Sequence, residues 1–189
     1  RKDKITPIVG DKVEFDIKNK IITKIEPRIN VLNKPQISNV DQALIVMSVI
    51  NPKFNTNLLD KLLLLITINN IKPIICLSKL DLVKDMDEIN SYINYYKSIG
   101  YTVITNMDLN LLKELLENEC TVLTGQSGVG KSTLLNNLNS SLKLKTGVIS
   151  EKLKAGKHTT RHVELLELFS GLVADTPGFS TLSLLDIKE

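Results

Sequence analysis

The residues best equipped for chemistry are Gly125-Gln126-Ser127-Gly128-Val129-Gly130-Lys131-Ser132, which fit the pattern G-x-x-x-x-G-K-S/T at every fixed position. A loop of this type can wrap a polyphosphate because glycines free the backbone, while amide N–H groups and a helix N-terminus face the negative charge. Lys131 adds a cation, Ser132 offers a hydroxyl to Mg²⁺, and Thr133 follows in the same turn. The motif carries this meaning only between a strand and a helix. Both are present: the apolar run Cys120 to Thr124 precedes it, and Lys131 to Leu138 follows with helical spacing. A nucleotide site is expected.

Three further constellations bear on which nucleotide. Asp175-Thr176-Pro177-Gly178 follows an apolar run about forty residues after the loop. There a carboxylate can hold Mg²⁺ through water, and the Gly178 N–H can approach a terminal phosphate. Ser78-Lys79-Leu80-Asp81 also ends an apolar run. Guanine presents N1–H and N2–H₂ side by side, so one carboxylate at Asp81 would accept both, a pairing adenine cannot offer. Lys79 would lay its aliphatic stem along the base. Lys157-His158-Thr159-Thr160-Arg161 lies inside a basic stretch, where a threonine can reach Mg²⁺ and the last phosphate only when a triphosphate is bound.

The elements that must position these residues are legible from periodicity. Lys12 to Ile17 and Ile21 to Ile25 alternate around the turn Lys18-Asn19-Lys20, as in a β-hairpin. Two strands are too few to stand alone, so residues 1–35 are expected to be a partial β-barrel, with Pro27 to Pro35 as a linker. From residue 36 strands alternate with helices. Strands are expected at Ala43–Ile50, Pro73–Leu77, Tyr101–Thr105, Cys120–Thr124, His162–Phe169 and Leu172–Ala174, and helices at Leu58–Ile68, Met86–Ser98, Leu109–Glu117 and Lys131–Leu138. This alternation predicts an α/β fold with a mainly parallel sheet and helices on both faces, binding its ligand at the carboxyl ends of the strands.

Composition narrows the class. Hydrophobic residues make up 42 % of the 189 and aromatics only 4 %, so the core must rest on Leu, Ile and Val. No apolar run is long enough to span a bilayer. The two cysteines, Cys76 and Cys120, lack metal-ligand spacing and sit in apolar runs, which favours reduced thiols in a cytoplasmic protein. Net charge is +3, yet Lys143 to His162 holds six basic residues and one acid, so that stretch carries +5 and the remainder −2. Such a segment is either a solvated face or a loop that docks on nucleic-acid phosphates.

The order of motifs adds a further clue. In ordinary GTPases the guanine-reading segment follows the phosphate loop; here Ser78 to Asp81 precedes it by about fifty residues. The chain resembles the circularly permuted GTPases, and more closely the bacterial GTPases that depend on the small ribosomal subunit. Val9-Gly10-Asp11-Lys12-Val13 is similar to the V-G-D-x-V of that family's N-terminal OB-fold, Pro27-Arg28-Ile29-Asn30-Val31-Leu32 to its P-R-x-N-x-L linker, and Asn39-Val40-Asp41-Gln42 to its entry strand. Gly125 to Thr133, Lys157 to Arg161 and Asp175 to Phe179 match its nucleotide motifs, and Thr105-Asn106 falls where it places a second base-contacting loop. Ser78 stands where Asn or Thr is usual, Thr105 where serine is usual, and the chain reaches Glu189 before the family's zinc-binding C-terminal domain, so zinc is expected only there.

The resemblance implies a circularly permuted P-loop GTPase domain after a partial OB-fold. It also implies a late assembly role on the small ribosomal subunit and its rRNA, as a monomer without membrane attachment. Lys131 would balance phosphate charge, Ser132 with Thr159 or Thr160 would ligate Mg²⁺, and Asp175 would act on it through water. Phe179 occupies the position where many GTPases carry a water-orienting Gln. Slow intrinsic turnover is therefore expected, with His158 a candidate to position water and Thr160 part of the catalytic set. Two other readings fit parts of the pattern: an ATP-using P-loop enzyme, which would have no need of Asp81, and a nucleotide-dependent RNA-binding module that does not hydrolyse.

Overall fold

The computed structural model describes residues 5–33, 36–139 and 164–175. Ten strands and four α-helices lie in these residues. The N-terminal part contains β1 (Val13–Asp16) and β2 (Ile21–Ile25), which form an antiparallel hairpin with an irregularity between Glu14 and Phe15. It is followed by β3 (Val31–Asn33) and β4 (Gln36–Ser38), also antiparallel. The expected linker is therefore partly a strand: Val31–Asn33 finds Gln36–Ser38 as its partner, a pairing too short for periodicity to reveal.

The main sheet is built from β5 (Gln42–Ser48), β6 (Lys72–Ser78), β7 (Thr102–Thr105), β8 (Cys120–Thr124), β9 (Glu164–Leu168) and β10 (Gly171–Asp175), in the order β7-β6-β5-β8-β10-β9. All neighbours are parallel except β9, which runs antiparallel to β10 at the edge. Residues of β5 are buried throughout, as a central strand covered on both faces requires. Helices α1 (Thr56–Ile68) and α2 (Asp87–Ser98) cover one face through Leu59, Leu62, Leu63, Ile66, Ile89 and Tyr96. Helices α3 (Leu109–Leu116) and α4 (Lys131–Leu138) cover the other through Leu112, Leu116, Leu134, Leu135 and Leu138. The expected doubly covered, mainly parallel sheet is what forms; several boundaries move by one or two residues. Asn55 caps α1, its side chain accepting from the Leu58 N–H at 3.0 Å.

A dense hydrogen-bonded joint connects the N-terminal strands to this sheet. The Asp11 carboxylate takes both Arg28 Nε at 2.7 Å and an Arg28 Nη at 2.8 Å, and also accepts from the Ser38 hydroxyl at 2.7 Å and the Ile8 N–H at 2.9 Å. Asn30 and Val40 exchange two bonds, Asn30 Nδ2 donating to the Val40 carbonyl at 2.7 Å and the Val40 N–H to Asn30 Oδ1 at 2.9 Å. Asn39 accepts from the Ile29 N–H and donates to the Gly10 carbonyl, both at 2.9 Å. No helix among the described residues is long and apolar enough to cross a membrane.

Candidate nucleotide site

The parallel strands all end on one edge, and the polar residues singled out above follow those ends. Ser78, Lys79 and Asp81 lie at and after β6, Thr105 and Asn106 at and after β7, Gly125 to Lys131 after β8, and Asp175 ends β10. From β5 the chain steps to β6 and β7 on one side, while β8 and β10 lie on the other. The crevice between β5 and β8 is thus the point where strand order reverses, the usual ligand position in such sheets.

Gly125 opens the loop with φ +139°, and a Cβ there would stand 2.2 Å from the Val46 carbonyl oxygen. Only glycine lets β8 leave the sheet against β5 at this point. Val129 is buried as the loop's apolar anchor, and Gly130 precedes α4 in the left-handed region. Lys131 folds back over the turn, its Nζ donating to the carbonyls of Gly125 at 2.7 Å and Gln126 at 2.9 Å. Its charge is thereby held above the loop. Ser132 and Thr133 sit in the first turn of α4, with Ser132 half-buried and Thr133 exposed, and Ser127 is exposed on the loop.

Ser78 is buried, and its hydroxyl donates to the Val129 carbonyl at 2.6 Å, with the Met47 carbonyl also in reach at 3.2 Å. The segment that would read a base is tied in this way to the loop that would hold phosphate. Lys79 adopts φ 62°, ψ 30°, and its ammonium donates to the Asn51 carbonyl. Buried Leu80 anchors the short 3₁₀ turn Leu80–Leu82, which leaves Asp81 exposed. At the end of β7 the Asp108 carboxylate accepts from the Thr105 N–H and hydroxyl, both at 2.8 Å, and the Asn106 N–H donates to the Leu77 carbonyl at 2.8 Å. The two segments expected to read a base are therefore fastened to each other through β6.

Two buried side-chain oxygens lack a hydrogen-bond partner among the described residues: Asn106 Oδ1 and Thr124 Oγ1. Both border the site, one just past β7 and the other just before Gly125. Buried acceptors left open are costly unless something else meets them. Cys76 lies beneath, in β6; burial, reinforced by the charge of Asp108, pushes its thiol up to about 12. Cys120 is likewise raised by burial, to about 11, so both thiols stay protonated and unreactive at neutral pH.

Asp175 pairs in register with Leu123, two residues before Gly125, but its side chain lies outside the described residues. His158, Thr159, Thr160, Gly178 and Phe179, with the basic stretch Lys143 to His162, also lie outside them. No group of three or more His, Cys, Asp or Glu suited to a metal occurs among the described residues. The turn from Ser48 to Asn51, which receives the Lys79 ammonium, has no motif signature. Its one sequence cue is a small polar residue, Ser48, ending a run of apolar ones.

A phosphate loop at the switch point of a parallel sheet, with the base-reading segment earlier in the chain, defines a circularly permuted P-loop GTPase domain. The RsgA GTPase family profile matches residues 25–185. The chain belongs to that family. It is 51 % identical to the small ribosomal subunit biogenesis GTPase RsgA of Bacillus cereus over 198 residues, covering all of this chain and 68 % of that protein. Among solved structures, YloQ, described as a circularly permuted GTPase, aligns with a TM-score of 0.78 at 41 % identity, covering all of this chain and 63 % of YloQ. YjeQ from Thermotoga maritima aligns with a TM-score of 0.76 at 32 % identity, covering 94 % of this chain and 63 % of that one. The chain thus spans less than two thirds of the solved relatives it resembles.

Proposed function

We propose that this protein binds GTP with Mg²⁺, hydrolyses it to GDP and phosphate, and acts as a late assembly factor of the small ribosomal subunit. The observation that carries this is the Ser78 hydroxyl on the Val129 carbonyl, which fastens a guanine-reading segment directly to a phosphate loop. The exposed Asp81 carboxylate accepts guanine N1–H and N2–H₂, and Lys79 covers the base. Thr105 and Asn106 close its other side. Gly125, Gln126, Ser127, Gly128, Val129 and Gly130 wrap the phosphates with Lys131, Ser132 and Thr133.

The hydroxyl of Ser132 and the carboxylate of Asp175 are hard oxygen donors on neighbouring element ends, a set suited to Mg²⁺. Together with Thr159 or Thr160 they would hold that ion, which neutralises β- and γ-phosphate charge when bound. Gly178 senses the last phosphate. Phe179 cannot orient water, so turnover is slow alone; His158 and Thr160 are the residues in cis that complete the site. The support for the ribosomal partner is the name of the Bacillus cereus relative, together with the +5 stretch ending at His162, which suits rRNA phosphates. The protein acts as a cytoplasmic monomer.

Steady-state GTP hydrolysis with and without purified small subunits tests this. Strong stimulation, abolished in both Asp81→Ala and Lys131→Ala, is the expected result. Equal turnover of ATP and GTP, or no response to the subunit, would overturn the substrate or the partner respectively.

A further inference from the structure

The loop after β5 carries no known motif, yet it is wired into the base-reading segment. Ser48 ends β5 directly opposite Ser78 at the end of β6, and the Val49 N–H donates to the Ser78 carbonyl at 3.2 Å. The Ser48 side chain is buried, and its hydroxyl oxygen accepts from the N–H groups of Ile50 at 3.3 Å and Asn51 at 3.2 Å. Those bonds close a tight turn within the chain. The turn presents the Asn51 carbonyl, and that carbonyl receives the Lys79 ammonium.

We propose that Ser48 is a positioning residue for guanine recognition, closing the Ser48–Asn51 turn so that the Asn51 carbonyl holds the Lys79 side chain extended beside Asp81. The inference rests on the guanine reading above. Lys79 is fixed at both ends: its backbone is set in the left-handed region between Ser78 and Leu80, and its head is bound at Asn51. A lysine stem free in solvent would have to be immobilised on every binding event. One held in advance presents a ready apolar surface for a flat base, and the ordering cost falls on folding rather than on binding. Ser48 touches no nucleotide in this scheme. It acts through the turn it closes, and its effect belongs to the base and not to the phosphates.

The test compares affinities of the whole chain for GDP, ADP and pyrophosphate in Ser48→Ala, Ser48→Thr, Lys79→Met and the double variant Ser48→Ala/Lys79→Met. Ser48→Ala is expected to weaken GDP by roughly fivefold, the cost of ordering one long side chain, and to leave pyrophosphate unchanged. Ser48→Thr, which keeps the hydroxyl, restores GDP affinity. The double variant is no weaker than Lys79→Met, because the two changes remove one interaction. Losses that multiply in the double variant, or an equal loss of pyrophosphate, overturn the role of Ser48 while leaving the GDP preference intact. A wild-type chain that binds ADP as well as GDP overturns the guanine reading itself, and this proposal with it. Should Ser48→Ala not fold, Lys79→Met decides: a loss confined to GDP upholds the held ammonium, and wild-type affinity rejects it.

Discussion

Asp81 is exposed while its neighbour Leu80 is buried, so a carboxylate is offered to solvent from an anchored backbone. The selectivity proposed for it follows from hydrogen-bond polarity alone. Asp81→Asn replaces one acceptor by a donor. Guanine then loses a partner, whereas xanthine, with a carbonyl at C2, gains one. We expect Asp81→Asn to weaken GDP by up to about 10⁴-fold and to bind xanthosine diphosphate more tightly than GDP in a competition assay. Unchanged preference for GDP would remove Asp81 from base recognition. The places of Asp81 after β6 and Lys131 at the start of α4 were legible in the sequence because residue type and short-range spacing mark those segment ends. The bond from Ser78 to Val129 was not, since it joins residues 51 apart whose meeting depends on the parallel pairing of β6, β5 and β8.

At the scale of elements, the hairpin of β9 and β10 ends the sheet, and its turn is fixed by packing. Phe169 and Ser170 both have positive φ, at 53° and 59°, and Lys113 of α3 lies 5.9 Å above the Phe169 ring. Gly171 fits so closely that a Cβ would stand 2.1 Å from the Leu116 carbonyl oxygen and 2.7 Å from that of Glu119. Backbone, not a pliable side chain, forms that wall. Gly171→Ala should therefore destabilise the protein by about 1–3 kcal/mol, read as a Tm lower by several degrees. An unaltered Tm would mean that α3 and the hairpin separate easily. Long elements such as α1 and β5 were legible because their apolar patterns are strong. The strand Val31–Asn33 was not, because three residues carry too little period and its partner supplies the order.

For the whole molecule, the joint around Asp11 decides whether the N-terminal strands move independently of the sheet. The Asp11 side chain is 2 % exposed, and its bonds to Arg28 hold the carboxyl well below its ordinary value of 3.8. A depressed carboxylate contributes stability fully above its unfolded pKa and loses it as pH falls towards the folded one. The joint should thus survive mild acid and loosen only progressively below about pH 4. Arg28→Ala should raise hydrogen exchange at the Ser38, Asn39 and Val40 amides by roughly tenfold, with the strands of the main sheet unaffected; no change there would assign the rigidity to the asparagine bonds instead. The joint also has a fixed place relative to the candidate nucleotide site. It meets β5 just before Gln42, while the candidate base-reading segment begins at Ser78, the partner in register of Ser48, and β5 between them is buried at the centre of the sheet. Six steps of extended chain make this about 20 Å. β5 is therefore a gauge: any large surface that grips the joint at one end and the candidate base-reading segment at the other must present its two contacts at that separation, and a partner whose contacts have not yet reached it can engage only one of them.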